Sequence, residues 1–410
     1  MKIAMKDQHA RRRHWSATLL AITFLWLSGF AESQPLSPAP LRLGMSTALS
    51  GPAADLGLDM RTGVQAAFEE VNRSGGINGR KLELIALDDG YEPTRTAPNM
   101  RQLIDQRQVL AVIGNVGTPT AIVAIPIANE TQTPFFGAFT GAGVLRRTPP
   151  DRYVINFRAS YAEETAAMVD GLIDSAGLKP EEVAFFTQRD AYGDSGFAGG
   201  IAALKRHGLA NENSVAHVRY ERNTVAVEKA LAELLARETL PKAIIMVGAY
   251  APCAAFIRLA RENDLRAIFL NVSFVGPASL ANALGASGDG VIITQVVPHF
   301  DSDLPIVRAY RAAQQTFDPK PGLSFGSLEG YVAARILCLA LQHISGEPDR
   351  DKLVDALLGL GRFDPGLGQE LMLSPEEHQA SHRVWPTVLH GGQIVPFEWK
   401  EWERSADRKP

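Results

Sequence analysis

The sequence predicts an α/β protein built as two doubly wound parallel-sheet lobes. Three observations carry this. The chain has 410 residues, too many for one small core. Short apolar runs alternate with stretches of helical periodicity, the pattern of parallel strands joined by crossover helices. The alternation also runs twice, and the second series shows no similarity to the first, which favours two lobes over a repeat array. At 46% hydrophobic and 21% charged residues the chain reads as an ordinary globular protein, not a disordered, collagen-like or multi-span membrane one. Its 41 Lys and Arg against 45 Asp and Glu give a net charge of −4. No basic stripe follows the first residues, so a nucleic-acid partner is not expected.

The N-terminus is a separate element. Lys2, Lys6 and Arg11-Arg12-Arg13 precede an apolar stretch, Trp15 to Phe30, and small residues at Gly29 and Ala31. That is a secretory signal over residues 1–31, cut after Ala31. The apolar stretch falls short of the roughly 20 residues a membrane anchor needs. Removing it leaves 36 basic against 44 acidic side chains, a net −8. With no Cys near the cut, a free periplasmic protein is expected rather than a lipoprotein. The remaining Cys253 and Cys338 sit in apolar, helix-like stretches and read as buried, unpaired thiols. His and Cys are too scattered for a metal site, and no cofactor is expected.

Along the chain, strands are expected at Leu41–Thr47, Lys81–Leu87, Val109–Ile113 and Thr133–Phe136. Helices are expected between them at Gly57–Arg73, Pro93–Gln106 and Thr118–Glu130. The second series places helices at Glu164–Ser175, Ser195–His207, Val225–Arg237 and Ala251–Asn263. Its strands are Val183–Thr187, Ser214–Tyr220 and Ala243–Val247. Helices at Ser327–Ile344 and Lys352–Gly359 follow, then a hairpin of Val384–Leu389 and Gln393–Phe397 turned by His390-Gly391-Gly392.

Three small-residue loops follow strands of the first series: Ser50-Gly51-Pro52, Gly114-Asn115-Val116-Gly117-Thr118, and Phe136-Gly137-Ala138-Phe139-Thr140-Gly141-Ala142-Gly143. In open parallel sheets that edge is where ligands bind. Thr118 is expected at an N-cap with Pro119 at N1, leaving the amides of Thr120 and Ala121 free beside the hydroxyl as an anion site. The loop has no Gly-Lys-Ser/Thr ending, which argues against a nucleotide. Asp88-Asp89 reads as a solvated strand end, since adjacent strand residues face opposite ways. Two serine strings point to hydrolases and lack their context. Gly193-Asp194-Ser195-Gly196 opens a helix in an α/β series. Gly322-Leu323-Ser324-Phe325-Gly326 follows Asp318-Pro319-Lys320-Pro321, which cannot be the buried strand a nucleophile elbow needs.

Several motifs in order resemble the periplasmic leucine/isoleucine/valine-binding protein family: Ser50-Gly51-Pro52, Gly75-Gly76-Ile77-Asn78-Gly79-Arg80-Lys81-Leu82, Asp88-Asp89-Gly90-Tyr91-Glu92-Pro93, Phe157-Arg158 and Ala191-Tyr192-Gly193. The likeness runs from Leu41 to the C-terminal hairpin. It implies a type I periplasmic binding fold, two lobes joined by a three-segment hinge. Lobe 1 would hold 41–158 and 298–370, lobe 2 159–297 and 371–400, with crossings near Phe157–Ser160, Val296–His299 and Gly368–Leu373. It implies no enzyme but a binding protein that closes on a small-molecule ligand, a carboxylate or amino acid, and delivers it to the permease of an ABC importer. A sensor receptor is the alternative partner.

By the same resemblance, Thr118 stands where the family places a Ser that binds the ligand carboxylate, with Phe139, Thr140 and Gly141 in the second binding loop. A hydroxyl frequent in the family is absent at Gly141. Tyr192 and Tyr250 match two tyrosines of lobe 2, and Leu56 and Phe325 fall near side-chain pocket positions. Two departures stand out. Tyr91 and Gly117 occupy the places of a small family disulfide. Ser273, flanked by Asn271 and Phe274, occupies that of the Glu that holds the ligand ammonium. Either Glu163, Glu164 or Asp190 replaces that Glu, or the ligand has no ammonium. The motif order puts none of these acids at the right depth, so the expected ligand is a flat or aromatic carboxylate.

Overall fold

The computed structural model describes residues 38–400, so the expected signal segment lies outside the described residues. Two sheets organise the chain. The first is all parallel in the order β2-β1-β3-β4-β5: β1 Leu41–Thr47, β2 Leu82–Asp88, β3 Ala111–Ile113, β4 Phe135–Phe136 and β5 Val154–Ile155. Its first crossover helices are α1 Ala54–Arg73, α2 Pro93–Arg101 and α3 Thr118–Glu130. The chain then enters α4 Tyr161–Asp170 and builds the second sheet from β6 Val183–Gln188, β7 Ala216–Tyr220, β8 Ala243–Val247, β9 Ile268–Asn271 and β10 Ile292–Gln295. These are parallel in the order β10-β9-β8-β6-β7, joined by α5 Ala191–Arg206, α6 Glu228–Leu235, α7 Tyr250–Glu262 and α8 Pro277–Leu284.

The polypeptide then returns. Helices α9 Pro305–Phe317 and α10 Phe325–Gln342 pack on α1, and α11 Arg350–Leu358 packs on α10. Helices α1 and α10 touch backbone to backbone: a Cβ on Gly63 would lie 1.8 Å from the Ser327 carbonyl oxygen, and one on Gly330 2.4 Å from that of Met60. This contact fixes the start of α10, and with it Phe325 and Glu329, against the first sheet's layer. A two-stranded ribbon follows, β11 Gly361–Phe363 with β12 Leu371–Leu373. The hairpin β13 Trp385–His390 and β14 Gln393–Pro396 then adds antiparallel to β10. Its Gly391 and Gly392 have φ of 56° and 77°, the left-handed pair that a two-residue hairpin turn requires.

Three segments pass between the halves: 156–160, 296–304 and 374–384. The first and third run side by side. Asn156 N donates to His378 O at 2.7 Å, Ala380 N to Asn156 O at 2.9 Å and Ser381 N to Phe157 O at 2.8 Å. The third passage therefore lies beyond the expected Gly368–Leu373. A division at 370/371 would cut the β11–β12 ribbon, where Gly361 pairs with Leu373. The expected elements form, several with the expected ends (β1, α3, β8). The sequence does not announce β5, β9, α8, β10, α9, β11 or β12, most of them too short to show periodicity.

Candidate functional site

The first sheet's carboxyl edge brings its loops together through backbone bonds. Phe139 N donates to Asn115 O at 2.8 Å and Gly117 N to Phe139 O at 3.2 Å, a parallel bridge that prolongs β3 and β4. Thr118 and Thr140 are thereby set side by side, buried, with hydroxyls 2.7 Å apart. The cap differs from expectation. Gly117, at φ 102°, caps α3, and Thr118 is its first helical residue, so its hydroxyl is turned to Thr140 and makes no cap bond. The Ala121 amide, expected free, donates to Gly117 O at 3.1 Å. Burial raises the Tyr161 hydroxyl to about 12, with Arg158 and Thr140 acting the other way. The missing hydroxyl at Gly141 has a steric cause: even a Cβ there would come within 2.6 Å of Tyr161 N.

From the second half, Asp190 caps α5 by accepting from Tyr192 N at 3.0 Å and so fixes the Tyr192 ring. Tyr192 packs on Phe274 at 4.6 Å and on Tyr161 at 5.1 Å between ring centroids. Phe274 also meets Phe139 at 5.5 Å and Tyr91 at 5.9 Å, so it joins aromatic rings of both halves. Tyr250, first in α7, lies by Asp55 of α1; burial and then that acid raise its hydroxyl to about 12. Leu56 is buried against Gly276, where a Cβ would come 2.7 Å from its Cδ2. Phe325 sits instead edge-on to Phe300 at 4.9 Å and His299 at 5.5 Å, in the second passage.

Ser273 is part of a charged cluster the sequence reading missed. Glu164 reaches it, contrary to the expectation about depth. Its carboxylate accepts from Ser273 N at 2.7 Å, Ser273 Oγ at 2.9 Å, Thr294 Oγ1 at 2.6 Å and Arg158 Nη2 at 3.1 Å. Arg158 Nη2 also donates to Ser273 Oγ. Arg158 Nη1 lies 3.5 Å from Glu329 Oε1, and all three charged side chains are at most 3% exposed. Burial pushes the Glu329 carboxyl up to about 7, with Arg158 pulling it down. The other two acids serve elsewhere: Glu163 accepts from Ser160 in a capping box, and Asp190 from Tyr192 and Gln188. Two signals could have found the cluster: Arg158 within a motif already singled out, and Glu329 as the one acid in the apolar run of α10.

The halves touch across the cleft mouth. Arg222 Nη2 meets Glu92 Oε2 at 2.8 Å, Asn223 Nδ2 donates to Glu92 Oε1 at 2.6 Å, and Ser279 Oγ to Asp55 Oδ2 at 2.7 Å. Between Pro52, Tyr91, Gln188 and Tyr220 remains a slot of about 10 Å³, room for about one water. Tyr91 and Gly117, in the places of the family disulfide, are in contact. A Cβ on Gly117 would fall 2.0 Å from the Tyr91 ring, so only glycine admits it. The Tyr91 hydroxyl accepts from Gln188 Nε2 of the other half at 3.1 Å. Asp89 is buried rather than solvated, accepting from Ser46, Tyr91 and Thr96.

Neither serine string meets catalytic requirements. Ser324 caps α10 by accepting from Ser327 N at 3.0 Å, and no strand precedes it. Ser195 lies in the first turns of α5 and accepts from Gly143 N at 3.4 Å. Cys253 and Cys338 are buried and unpaired. Among the described residues no group of His, Cys, Asp and Glu could hold a metal, and no helix is long and apolar enough to cross a membrane.

Comparison with known proteins adds the family. Residues 40–393 match the periplasmic binding protein family. The crystal structure of a possible leucine/isoleucine/valine-binding protein from Rhodopirellula baltica SH 1 superposes with a TM-score of 0.88, at 56% identity, over 90% of this chain and 99% of that one. An amino acid binding protein of Pseudomonas aeruginosa is 27% identical over 383 residues, 88% of this chain and 91% of that protein. The Leu/Ile/Val-binding protein of Escherichia coli K12 is 25% identical over 298 residues, 67% of this chain and 73% of its own. With two sheets, three passages between them and aromatic contacts from one half to the other already described, the chain belongs to the periplasmic leucine/isoleucine/valine-binding protein family and has its two-lobed type I fold.

Proposed function

We propose that the chain is an exported, non-enzymatic periplasmic protein that closes its two lobes on a small organic carboxylate or amino acid and delivers it to an ABC importer. Lobe 1 is the first sheet with α9–α11, lobe 2 the second sheet with the C-terminal hairpin, and the three passages are the hinge. The observation that carries this reading is the Thr118–Thr140 hydroxyl pair, buried at the carboxyl edge of the first sheet next to Phe139, on which Phe274 of the second half packs. Two hydroxyl donors beside a helix start suit a carboxylate. Phe139, Gly141, Tyr161 and Ser273 would complete the pocket, and Tyr250 and Leu56 would line its far end. The relatives' names, which speak of leucine, isoleucine, valine and amino acids, support the ligand's size and its carboxylate. Mass spectrometry of the natively purified protein should find a small carboxylate, and small-angle scattering should show compaction when it is added back to stripped protein. Purified protein that carries no such solute and never compacts would overturn the reading.

A further inference from the structure

Arg158 stands where the first sheet hands the chain to α4, at 1% exposure. A guanidinium so placed normally has its donors satisfied, and this one does not. Nη2 serves Glu164 and Ser273, but Nε and Nη1 have no hydrogen-bond partner, and Glu329 stands off at 3.5 Å from Nη1. The guanidinium lies 5.0 Å from the centre of the Phe139 ring and 5.8 Å from that of Tyr161. Phe139 immediately precedes Thr140. Donors lacking acceptors therefore gather next to the Thr118–Thr140 pair.

The acceptor side of the cluster is closed. Glu164 already takes four hydrogen bonds, so at Ser273 the chain presents a guanidinium and a saturated carboxylate rather than a free anion. Glu329, the other acid, faces Arg158 Nη1 at 3.5 Å.

We propose that Arg158 is a ligand-contacting, specificity-determining residue. One of its unpartnered N–H groups, on Nη1 or Nε, takes an acceptor oxygen that the solute carries beside its carboxylate, and with Glu164 saturated an α-ammonium group finds no acceptor there. The ligand class is then 2-oxo or 2-hydroxy acids rather than amino acids. This rests on the carboxylate-binding reading above.

The test is calorimetry on ligand-stripped protein with matched series: 4-methyl-2-oxopentanoate, 4-methylpentanoate and leucine, then phenylpyruvate, 3-phenylpropanoate and phenylalanine. The unmodified protein should bind one oxo acid at least about tenfold tighter than both its unsubstituted and its amino counterpart. Arg158→Lys, which keeps the charge but loses the fork, should bring the oxo acid down to the unsubstituted acid. Discrimination is read first on the unmodified protein, so it stands even if the variant does not fold. An amino acid binding as tightly as its oxo counterpart overturns the inference and leaves the solute-binding reading intact. So does an unsubstituted acid matching the oxo acid, or a folded Arg158→Lys protein that still discriminates. No binding across the panel at millimolar concentration counts against both readings.

Discussion

The Thr118–Thr140 pair and the Arg158–Glu164–Glu329 cluster are both buried and polar, but they are built in opposite ways. The threonines are 22 residues apart on adjacent loops of one sheet edge, and their two hydroxyls are neutral. The cluster gathers three charges from the first passage, α4 and α10, and Glu164 reaches Ser273 across 109 residues. A neutral pair can lose a member without stranding a charge, and a buried ion cluster cannot. The difference separates a neutral pair at one sheet edge from a charged joint that ties the first passage to the strands at the second and still leaves two Arg158 nitrogens unpartnered.

The sharpest way to break that distinction is Glu164→Gln. It keeps the shape, removes the charge that balances Arg158, and should destabilise the protein by about 3–5 kcal/mol in urea unfolding. Unchanged stability would mean that the cluster is not a joint. Thr118→Ala should do the reverse. Stability should change by less than about 1 kcal/mol, while affinity for the natively bound solute falls by about 1.5–3 kcal/mol, read by calorimetry. A large loss of stability with unchanged affinity would make the pair structural and move the carboxylate site elsewhere.

The first of these regions was legible in the sequence and the second was not, for a physical reason. Gly117, Thr118 and Thr140 announce themselves locally: a glycine at a strand end, a hydroxyl at a helix start, a loop of small residues. Tyr91 and Gly117 stand where the family disulfide would, yet that a ring lies on a glycine is visible only when both backbones are placed. The depth of Glu164 does not follow from spacing, because the depth of a helical residue depends on how the passage enters α4. The capping box at Ser160 and Glu163 settles that entry. Short strands such as β9 and β10, of four residues each, carry too few positions to show a period, so the approach of Ser273 and Thr294 to Glu164 does not show in the sequence.

Glu329 sharpens the comparison through pH. Its folded pKa, raised from 4.5 to about 7, means that the native protein holds this proton more tightly than the unfolded chain. The associated stability is full below pH 4.5 and is lost as pH rises through about 7. Unfolding of wild type and Glu329→Gln across pH 4 to 8 should therefore show the variant gaining on wild type, by on the order of 2 kcal/mol over that span. A difference that does not vary with pH would mean Glu329 is ionised throughout and firmly paired with Arg158.

The weakest joint makes the last test. In the third passage His382 Nδ1 lies 2.6 Å from Glu163 Oε1, with side chains 55% and 31% exposed. Burial alone would raise the Glu163 carboxyl, but His382, the Ser160 amide and hydroxyl, and Gln379 together hold it down at about 2. The bond to Glu163 raises the imidazole above 6.5, against burial. The two signs differ. The Glu163 share is present above pH 4.5 and lost as pH falls through about 2. The His382 share is full below pH 6.5 and lost as pH rises through its folded pKa. The pair therefore stabilises most between about pH 4.5 and 6.5. With His382 so exposed, solvent screening limits its worth to about 0.5 kcal/mol. Urea midpoints of wild type and His382→Gln should differ slightly at pH 5.5 and converge at pH 9. A gap of several kcal/mol that persists at pH 9 would show that the third passage is fastened like the Arg158 cluster, and would erase the contrast between a tight first passage and a loose third one.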